Sequence, residues 1–308
     1  MSRYDQVLAQ ETPGFARAVT AIVGGDVAAL RRELAVEPGL VQARSASAHH
    51  ATLLHYVAAN GIEDELQHPV PNADEIAEIL LTAGAEVDAL CDLYGGRWNT
   101  TMDLLVSSDH PCEAGVTGRL VRLLCAHGAA VEGPRDNGSP LATALAFGIL
   151  DGVEALLACG ARTDNPIFAA AAGDGAWLGA WLDGSIATTT RPVPDHPPLS
   201  TDRRIAAEQA LAYASMCGRV DAMRLLLDRG VDVNAMPPGS HWIATALHAA
   251  AIQGQAAAVT LLLDRGADRT IRDRNHDGTA LEWTDHARGP RRARAREAGR
   301  ILSVSTLG

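Results

Sequence analysis

The fold is indicated by two stretches of the sequence that align with each other without a gap, QALAYASMCGRVDAMRLLLDRGVDVNAM at 209–236 and TALHAAAIQGQAAAVTLLLDRGADRTIR at 245–272. Each reads as a short helix, a turn with a glycine, a second helix with a run of leucines, and an extended polar segment. Self-similarity at a period of about 20–50 residues indicates an array of stacked supersecondary units. Each helix pair has only a narrow apolar stripe, which is too small to form a stable core by itself. Neighbouring units are therefore expected to stack and bury these stripes against each other.

The same unit recurs along most of the chain. In each case a short apolar segment precedes a second one that ends near a glycine. The pairs are ARAVTAIVGG with VAALRRELAVEPGLV, TLLHYVAANG with IAEILLTAGAEVDAL, TTMDLLVSSD with RLVRLLCAHGAAVEG, SPLATALAFG with VEALLACGARTDN, and NPIFAAAAGDG with LGAWLDGS. GTALEW at 278–283 begins a last, degenerate unit.

Glycines and threonines mark the predicted helix ends. A glycine tolerates the left-handed conformation that terminates a helix, and a threonine side chain caps a helix N-terminus. Thr52 and Thr245 precede first helices, and a glycine follows the second helix at Gly84, Gly128, Gly160, Gly230 and Gly266. Aromatic residues are only 4% of the chain and alternating β-branched runs are few, so a sheet-based fold is not expected.

These residues resemble the ankyrin repeat over about 14–285. The family's TPLHxAAxxG phrase appears as TLLH at 52–55 with Gly61 and as TALH at 245–248 with Gly254, and its LLLxxGAD phrase appears at 225–232 and 261–268. The resemblance implies an all-α ankyrin-repeat solenoid, of bacterial type, with about seven or eight stacked helix-turn-helix units and short hairpin or finger loops. It also implies that His55 and His248 are structural histidines that hydrogen-bond nearby backbone.

Composition excludes several function classes. All 26 basic residues are arginine, which removes lysine Schiff-base chemistry, pyridoxal phosphate attachment and the P-loop lysine. The absence of lysine is typical of a GC-rich genome and hints at a bacterial source. A net charge of −11 argues against a general nucleic-acid binder. We expect no cofactor and no bound metal. We also expect no membrane partner, because no stretch approaches 18 consecutive apolar residues.

The cysteines predict a reducing compartment. There are five, widely spaced and without a CxxC pair, which is typical of reduced thiols in a cytoplasmic protein. The N-terminal segment also lacks the pattern of a secretory signal. Cys125, Cys159 and Cys217 fall on apolar helical positions and are expected in the core. Cys91 and Cys112 fall in loops, and the sequence does not decide whether they are buried.

Insertions interrupt the repeat at four places. Three of them come from neighbouring units, at 62–74, 91–99 and 109–118. The fourth, at 185–202, carries four prolines and predicts either an extended surface loop or a hinge. The predicted organisation is therefore N-terminal units at 1–184, a proline-rich linker or loop at 185–202, and C-terminal units with an arginine-rich capping helix at 203–308.

Our leading hypothesis is a module that binds an unidentified protein partner through the concave face of the array. Tryptophan, tyrosine and arginine are favoured anchors because they combine large contact area with a polar group. The predicted partner-binding residues are Asp92, Tyr94, Arg97, Trp98, Asn99, Trp242 and Trp283. Trp98 has an alternative place, packed on the first helix of its own unit. Trp177 and Trp181 are four apart on one helix and are expected to face the core.

A second hypothesis is a cofactor-free enzyme of cyclase or isomerase type, or a small-molecule binder. The three neighbouring insertions would then fold over the groove and close a pocket. Asp103, which replaces the family's histidine, or His110 would act as the acid or base, and both would line the pocket with Asp92, Tyr94 and Trp98. A deep apolar cavity bounded by those insertions and containing Asp103 or His110 would favour this hypothesis over an open groove.

Overall fold

The computed structural model describes residues 8–58, 62, 67–93, 95–96, 98–188, 200–238, 243–287, 289 and 291–303. It divides into two compact units, Met1–Ala161 and Arg162–Gly308. Helices dominate both units. No helix in the described part of the chain is long and apolar enough to span a membrane. The boundaries predicted at 184 and 203 differ from this division and stay a prediction.

The first unit consists of helix pairs with one short hairpin. Its helices are α1 (Pro13–Val23), α2 (Val27–Val36), α3 (Leu53–Ala58), α4 (Ala73–Thr82), α5 (Thr101–Leu105), α6 (Asp109–Glu113), α7 (Thr117–Ala126), α8 (Ser139–Phe147) and α9 (Leu150–Ala158). Strands β1 (Cys91–Asp92) and β2 (Trp98–Asn99) pair antiparallel, with Cys91 opposite Asn99 and Asp92 opposite Trp98. A 3₁₀ turn covers Pro38–Gln42.

The second unit repeats the helix pairs. Its helices are α10 (Pro166–Ala172), α11 (Gly175–Leu182), α12 (Arg203–Met216), α13 (Val220–Asp228), α14 (Ala246–Gln253), α15 (Ala256–Asp264), α16 (Ala280–Asp285) and α17 (Arg291–Ser303). In each unit the first helices pack on first helices and the second helices on second helices, which makes two layers. The described residues therefore confirm a mostly helical fold of stacked pairs.

The core of each unit runs continuously between its two layers. Leucines of successive pairs are buried in the first unit, among them Leu30, Leu54, Leu80, Leu104, Leu124 and Leu156. In the second unit one apolar cluster joins Trp181, Leu211, Met223, Leu226, Leu247 and Leu262. Trp181 is 2% exposed, which confirms its predicted core position. Because every pair shares its apolar surface with the next one, stability depends on the contacts between neighbours.

The predicted helix ends are confirmed. Gly84, Gly128, Gly160, Gly230 and Gly266 all have positive φ between 82° and 97°. A Cβ in this region clashes with the backbone of an L-residue, whereas glycine has none. The glycines therefore set the lengths of the second helices.

The insertions take different forms. Residues 91–99 form the β1–β2 hairpin, and residues 109–118, expected as a loop, include the short helix α6 and the start of α7. The end of 62–74 belongs to α4. Most of 185–202 lies outside the described residues, so its predicted role as a loop or hinge stays a prediction.

The core position predicted for three cysteines is confirmed for only one of them. Cys91 and Cys112, which were assigned to loops without a predicted burial, lie in β1 and α6 and are buried at 0% and 8% exposure. Cys125 and Cys159, predicted in the core, are partly exposed. Only Cys217 is buried as expected. The helical period places a residue on a face of its helix, but it does not say how far the neighbouring repeat covers that face.

Candidate functional site

The β1–β2 hairpin is closed and anchored by hydrogen bonds. Both carboxylate oxygens of Asp92 accept from the backbone N–H of Gly96, at 2.6 and 2.7 Å. The backbone N–H of Asp92 donates to the carbonyl of His49 at 2.9 Å, so the base of the hairpin is tied to the preceding repeat. Arg44 reinforces this base by donating to the carbonyls of His50 and Leu90. The predicted binding residue Asp92 thus shapes the finger.

Trp98 is the exposed aromatic residue of this finger. It lies in β2, opposite Asp92, and 47% of its surface is exposed. Its neighbour Asn99 is partly buried, and the side-chain oxygen of Asn99 has no hydrogen-bond partner among the described residues. The hairpin therefore presents the large apolar ring of Trp98 at its surface, whereas the amide oxygen of Asn99 is buried. Tyr94 and Arg97, predicted in the same loop, lie outside the described residues.

Trp283 does not occupy the exposed position that was predicted for it. It is 6% exposed and its indole N–H donates to the carboxylate of Asp273 at 2.9 Å. Its ring also meets the ring of His248 edge to face, with centroids 5.1 Å apart. Most of the ring surface is thus used inside the unit, because α16 turns this face toward α14. Trp242, the other aromatic residue predicted for this face, lies outside the described residues.

A recurring hydrogen-bond box fixes the start of the first helices. In α3 the backbone N–H and the hydroxyl of Thr52 both bond Nδ1 of His55, at 3.0 and 2.8 Å, and Nε2 of His55 lies 3.0 Å from the carbonyl of Ala89. The N–H of Thr52 requires Nδ1 to be an acceptor, so the proton resides on Nε2 and points to Ala89. Thr245 and His248 repeat this arrangement, with the carbonyl of Gly278 as the distant partner. The structural role predicted for both histidines is confirmed.

Burial makes the first box sensitive to acid. Desolvation lowers the pKa of His55 from 6.5 to about 4, against the opposing effect of hydrogen bonds to the carbonyls of Ala89 and Asn99. Between about pH 4 and pH 6.5, His55 is therefore mostly protonated in the unfolded chain but mostly neutral in the folded chain. Stability is complete above pH 6.5 and falls as the pH decreases toward 4.

We expect the first unit to lose about 2 kcal/mol of unfolding free energy between pH 7 and pH 5 through His55 alone. Urea unfolding of the wild type and of His55→Asn at both pH values gives the change in unfolding free energy with pH for each protein. The difference between these two changes measures the contribution of His55. Asparagine keeps an oxygen that can accept from Thr52 but does not titrate. Equal slopes for the two proteins would contradict the assignment.

Asp103 forms the same box in the third repeat. Its Oδ2 accepts from the backbone N–H and the hydroxyl of Thr100, at 3.2 and 3.0 Å, and its Oδ1 accepts from the hydroxyl of Ser139 at 3.3 Å. Asp103 is 9% exposed, and burial raises its pKa despite these bonds. The carboxylate links one repeat to the next, as histidine does elsewhere. These bonds give Asp103 a structural role, and its catalytic role under the second hypothesis stays a prediction.

His110 lies apart from Asp103 in the bonding network. It is the second residue of α6 and is partly buried, and its Nδ1 has no hydrogen-bond partner among the described residues. Within the part of the chain that the structure describes, no hydrogen bond or ion pair joins His110 to Asp103. The two residues offered as alternative acid or base groups therefore do not contact each other directly, and a catalytic role for either stays a prediction.

A cleft does lie between two of the insertions. Residues 67–73 and Pro111 border it, together with Tyr56, Ile22 and Ile76. The space inside it that a water-sized sphere can occupy is only about 10 Å³, roughly what a single water molecule requires. Neither Asp103 nor His110 lines it, so this cleft is not the catalytic pocket that the second hypothesis describes.

The segment RDRNHDG at 272–278 forms a turn that is held together by Asp273. Asp273 accepts from the backbone N–H groups of Asn275, His276 and Gly278, and from Trp283. Burial opposes the ionisation of Asp273, but these four donors outweigh it and hold its pKa at about 2. An aspartate two residues before an asparagine and five before a glycine signals such a turn. Its link to Trp283 has no signal in the sequence.

Comparison with known proteins bears on the second unit. Residues 197–273 match a model of ankyrin repeats in three copies. Among solved structures, the chain is similar to the ankyrin repeat domain of Bcl-3, a member of the IkappaB protein family, with 21% identity over 94% of this chain and 98% of that one and a TM-score of 0.39. It is also similar to the human ASB11 ankyrin repeat domain, with 21% identity over 83% and 100% and a TM-score of 0.33. No curated protein sequence matches.

Proposed function

We propose, from the premise that this chain carries ankyrin repeats at 197–273, that it is a protein-interaction module. Ankyrin repeats generally serve this purpose. The contact surface we propose is the β1–β2 finger and the adjoining concave face of the first unit, with Trp98 as the anchor. No bond-making chemistry is needed for this role.

The exposure of Trp98 is the observation that carries the proposal. Tryptophan is enriched at protein interfaces, because its large ring contributes most when a partner buries it. The backbone of the hairpin that carries Trp98 is ordered before binding, through Asp92 and the bond to His49. A backbone that is already ordered loses less conformational entropy when a partner binds.

Charge indicates the kind of partner. Residues 1–161 carry 21 acidic side chains and 9 arginines, whereas residues 162–308 carry 16 and 17. The first unit therefore has a net charge of −12, and the second is nearly neutral. Complementary charge speeds association and disfavours wrong partners. We propose a partner whose contact surface combines an apolar pocket for Trp98 with arginine or lysine around it.

Affinity capture with quantitative mass spectrometry tests the finger. The wild type, Trp98→Ala and Val36→Ser are used as baits in extract of the source cells. Val36 is 80% exposed on α2 and serves as the matched control. Loss of a central tryptophan anchor costs about 2 kcal/mol or more, so we expect at least a 30-fold lower retention of the partner by Trp98→Ala. Val36→Ser should retain it fully.

Equal retention by Trp98→Ala and the wild type would contradict the proposed surface while leaving a protein-binding function standing. A wild type that retains no protein above the level of blank resin would contradict the function itself. Repeating the capture at 50 and 500 mM salt checks the charge argument. A partner bound by charge complementarity should associate more slowly at the higher salt concentration.

A further inference from the structure

Two thiols from neighbouring repeats lie close together in the first unit. Cys125 lies in the last turn of α7, and Cys159 is the residue that ends α9. The side chain of Cys159 lies close enough to the Cys125 thiol to raise its pKa. Both residues are partly exposed, whereas Cys91, Cys112 and Cys217 are buried. This pair is therefore the thiol cluster that small solutes can reach among the described cysteines.

Helix packing brings these two residues together. Helices α7 and α9 are the second helices of adjacent pairs and lie side by side. Their N-terminal ends are in close contact, since the backbone N–H of Gly118 donates to the Asp151 carboxylate at 3.2 Å and a Cβ on Gly118 would lie 3.0 Å from the carbonyl of Asp151. Two helices that start together and have nearly equal lengths also end together. The cysteines mark those ends.

The surroundings leave room for the sulfur atoms to approach each other. A disulfide requires them to close to about 2.05 Å. Both cysteines precede a glycine turn, at Gly128 and Gly160, where a Cβ would meet no atom within 4 Å. Such helix ends fray and adjust more easily than helix centres. The open space at these turns leaves them room to move as the sulfurs approach each other.

We propose that Cys125 and Cys159 are a modification site for peroxide-class oxidants, at which two thiols of neighbouring repeats become one reversible disulfide. In the first step a thiol of Cys159 reacts with hydrogen peroxide to give a sulfenic acid and water. In the second step the thiol of Cys125 displaces a second water and forms the S–S bond. Two thiols and one peroxide thus give one disulfide and two waters, and a dithiol reductant reverses the change.

The surroundings of Cys125 are the reason for proposing that Cys159 reacts first. Burial raises the pKa of Cys125 to about 12, and the neighbouring Cys159 side chain and the nearby Asp88 carboxylate act in the same direction. The thiolate is the nucleophile toward peroxide, so Cys125 is a poor first reactant. It is well placed to resolve a sulfenic acid on Cys159, which lies beside it. Formation of the bond should be slow and should accelerate as the pH rises.

The consequence is a staple between the third and fourth helix pairs. In a repeat protein each interface between neighbours contributes separately to stability, so a bond across one interface suppresses its local opening. The bond closes a loop of 33 residues between Cys125 and Cys159. The oxidised first unit should therefore melt roughly 5–15 °C above the reduced one.

Peptide mapping tests the proposal on the full-length protein. Cleavage after arginine places each of the five cysteines on a different peptide, with Cys125 on LLCAHGAAVEGPR and Cys159 on the adjoining DNGSPLATALAFGILDGVEALLACGAR. After treatment with hydrogen peroxide and alkylation of free thiols, we expect these two peptides to be linked, with a mass 2 Da below their sum. Dithiothreitol should separate them, and Cys91, Cys112 and Cys217 should be alkylated in full only after unfolding.

Single variants test the order of the two steps. Cys125→Ser should trap a sulfenic acid on Cys159 that reacts with dimedone, and Cys159→Ser should leave Cys125 unlabelled. Far-UV circular dichroism confirms that each variant is folded. Both thiols remaining alkylatable in the oxidised wild type, or a disulfide that joins two molecules instead, would overturn the proposal. Labelling of Cys125 in Cys159→Ser would overturn the order.

Discussion

Replacing Gly254 with alanine is expected to detach helix α17 and to lower the unfolding free energy of the second unit by about 3 kcal/mol. Gly254 ends α14 with φ +69°, and a Cβ there would lie 2.3 Å from the carbonyl carbon of Arg294 and 2.5 Å from the backbone nitrogen of Ala295. Those atoms belong to the backbone of α17 and cannot rotate away. The helix must move as a body, which exposes the apolar face formed by Ala295, Ala298 and Leu302.

Gly266→Ala is the matched control for this change. Gly266 also has a positive φ, +86°, but no atom lies within 4 Å of the position of its Cβ. Its substitution should therefore carry only the conformational cost, about 1 kcal/mol. Urea unfolding measures both values, and limited trypsin digestion detects a loosened α17 at its arginines. Equal destabilisation by the two variants would show that α17 does not depend on the contact with Gly254.

Replacing Trp283 with alanine is expected to lower the unfolding free energy of the second unit by about 3–5 kcal/mol. The variant loses a ring that is 6% exposed, its edge-to-face contact with His248, and a hydrogen bond to the ionised Asp273. Trp283→Phe keeps most of the ring but loses the N–H donor, so its cost should be about 1.5–3 kcal/mol. The order of the two variants separates packing from hydrogen bonding.

Trp98→Ala is the comparison that distinguishes a structural tryptophan from a binding one. Because Trp98 is half exposed, its loss should cost the first unit about 1 kcal/mol or less and should reduce partner capture instead. Chemical denaturation of the variants and the capture experiment give the two readouts. Full stability of Trp283→Ala combined with a loss of partner would contradict the placement of this ring inside the unit.

The Asp273 turn also makes the second unit sensitive to acid. Its pKa of about 2 lies below that of an aspartate in an unfolded chain, so the folded state prefers the ionised form. The resulting stabilisation is present above about pH 4 and is lost as the pH falls through 2. This window lies below that of His55.

The repeating unit could be recognised in the sequence because its signals are local. Glycine at a helix end, threonine three residues before histidine and leucine at helical spacing each report a backbone conformation or a nearby hydrogen bond. Asp103 shows the limit of this reasoning. The sequence places Asp103 at the histidine position of the TPLHxAAxxG phrase, but it does not show which groups its carboxylate bonds. The bonds to Thr100 and Ser139 show that an aspartate can replace the histidine of the box.

The helical architecture, the register of the repeats and the structural histidines could all be read from the amino-acid order, because they depend on residues close together in the chain. Which side chains are covered became clear only from the packed molecule. Cys91 is buried and Trp98 exposed within one hairpin, and Cys125 meets Cys159 across 33 intervening residues. Burial depends on how the neighbouring repeat packs, and contacts between residues so far apart in the chain leave no period in the sequence.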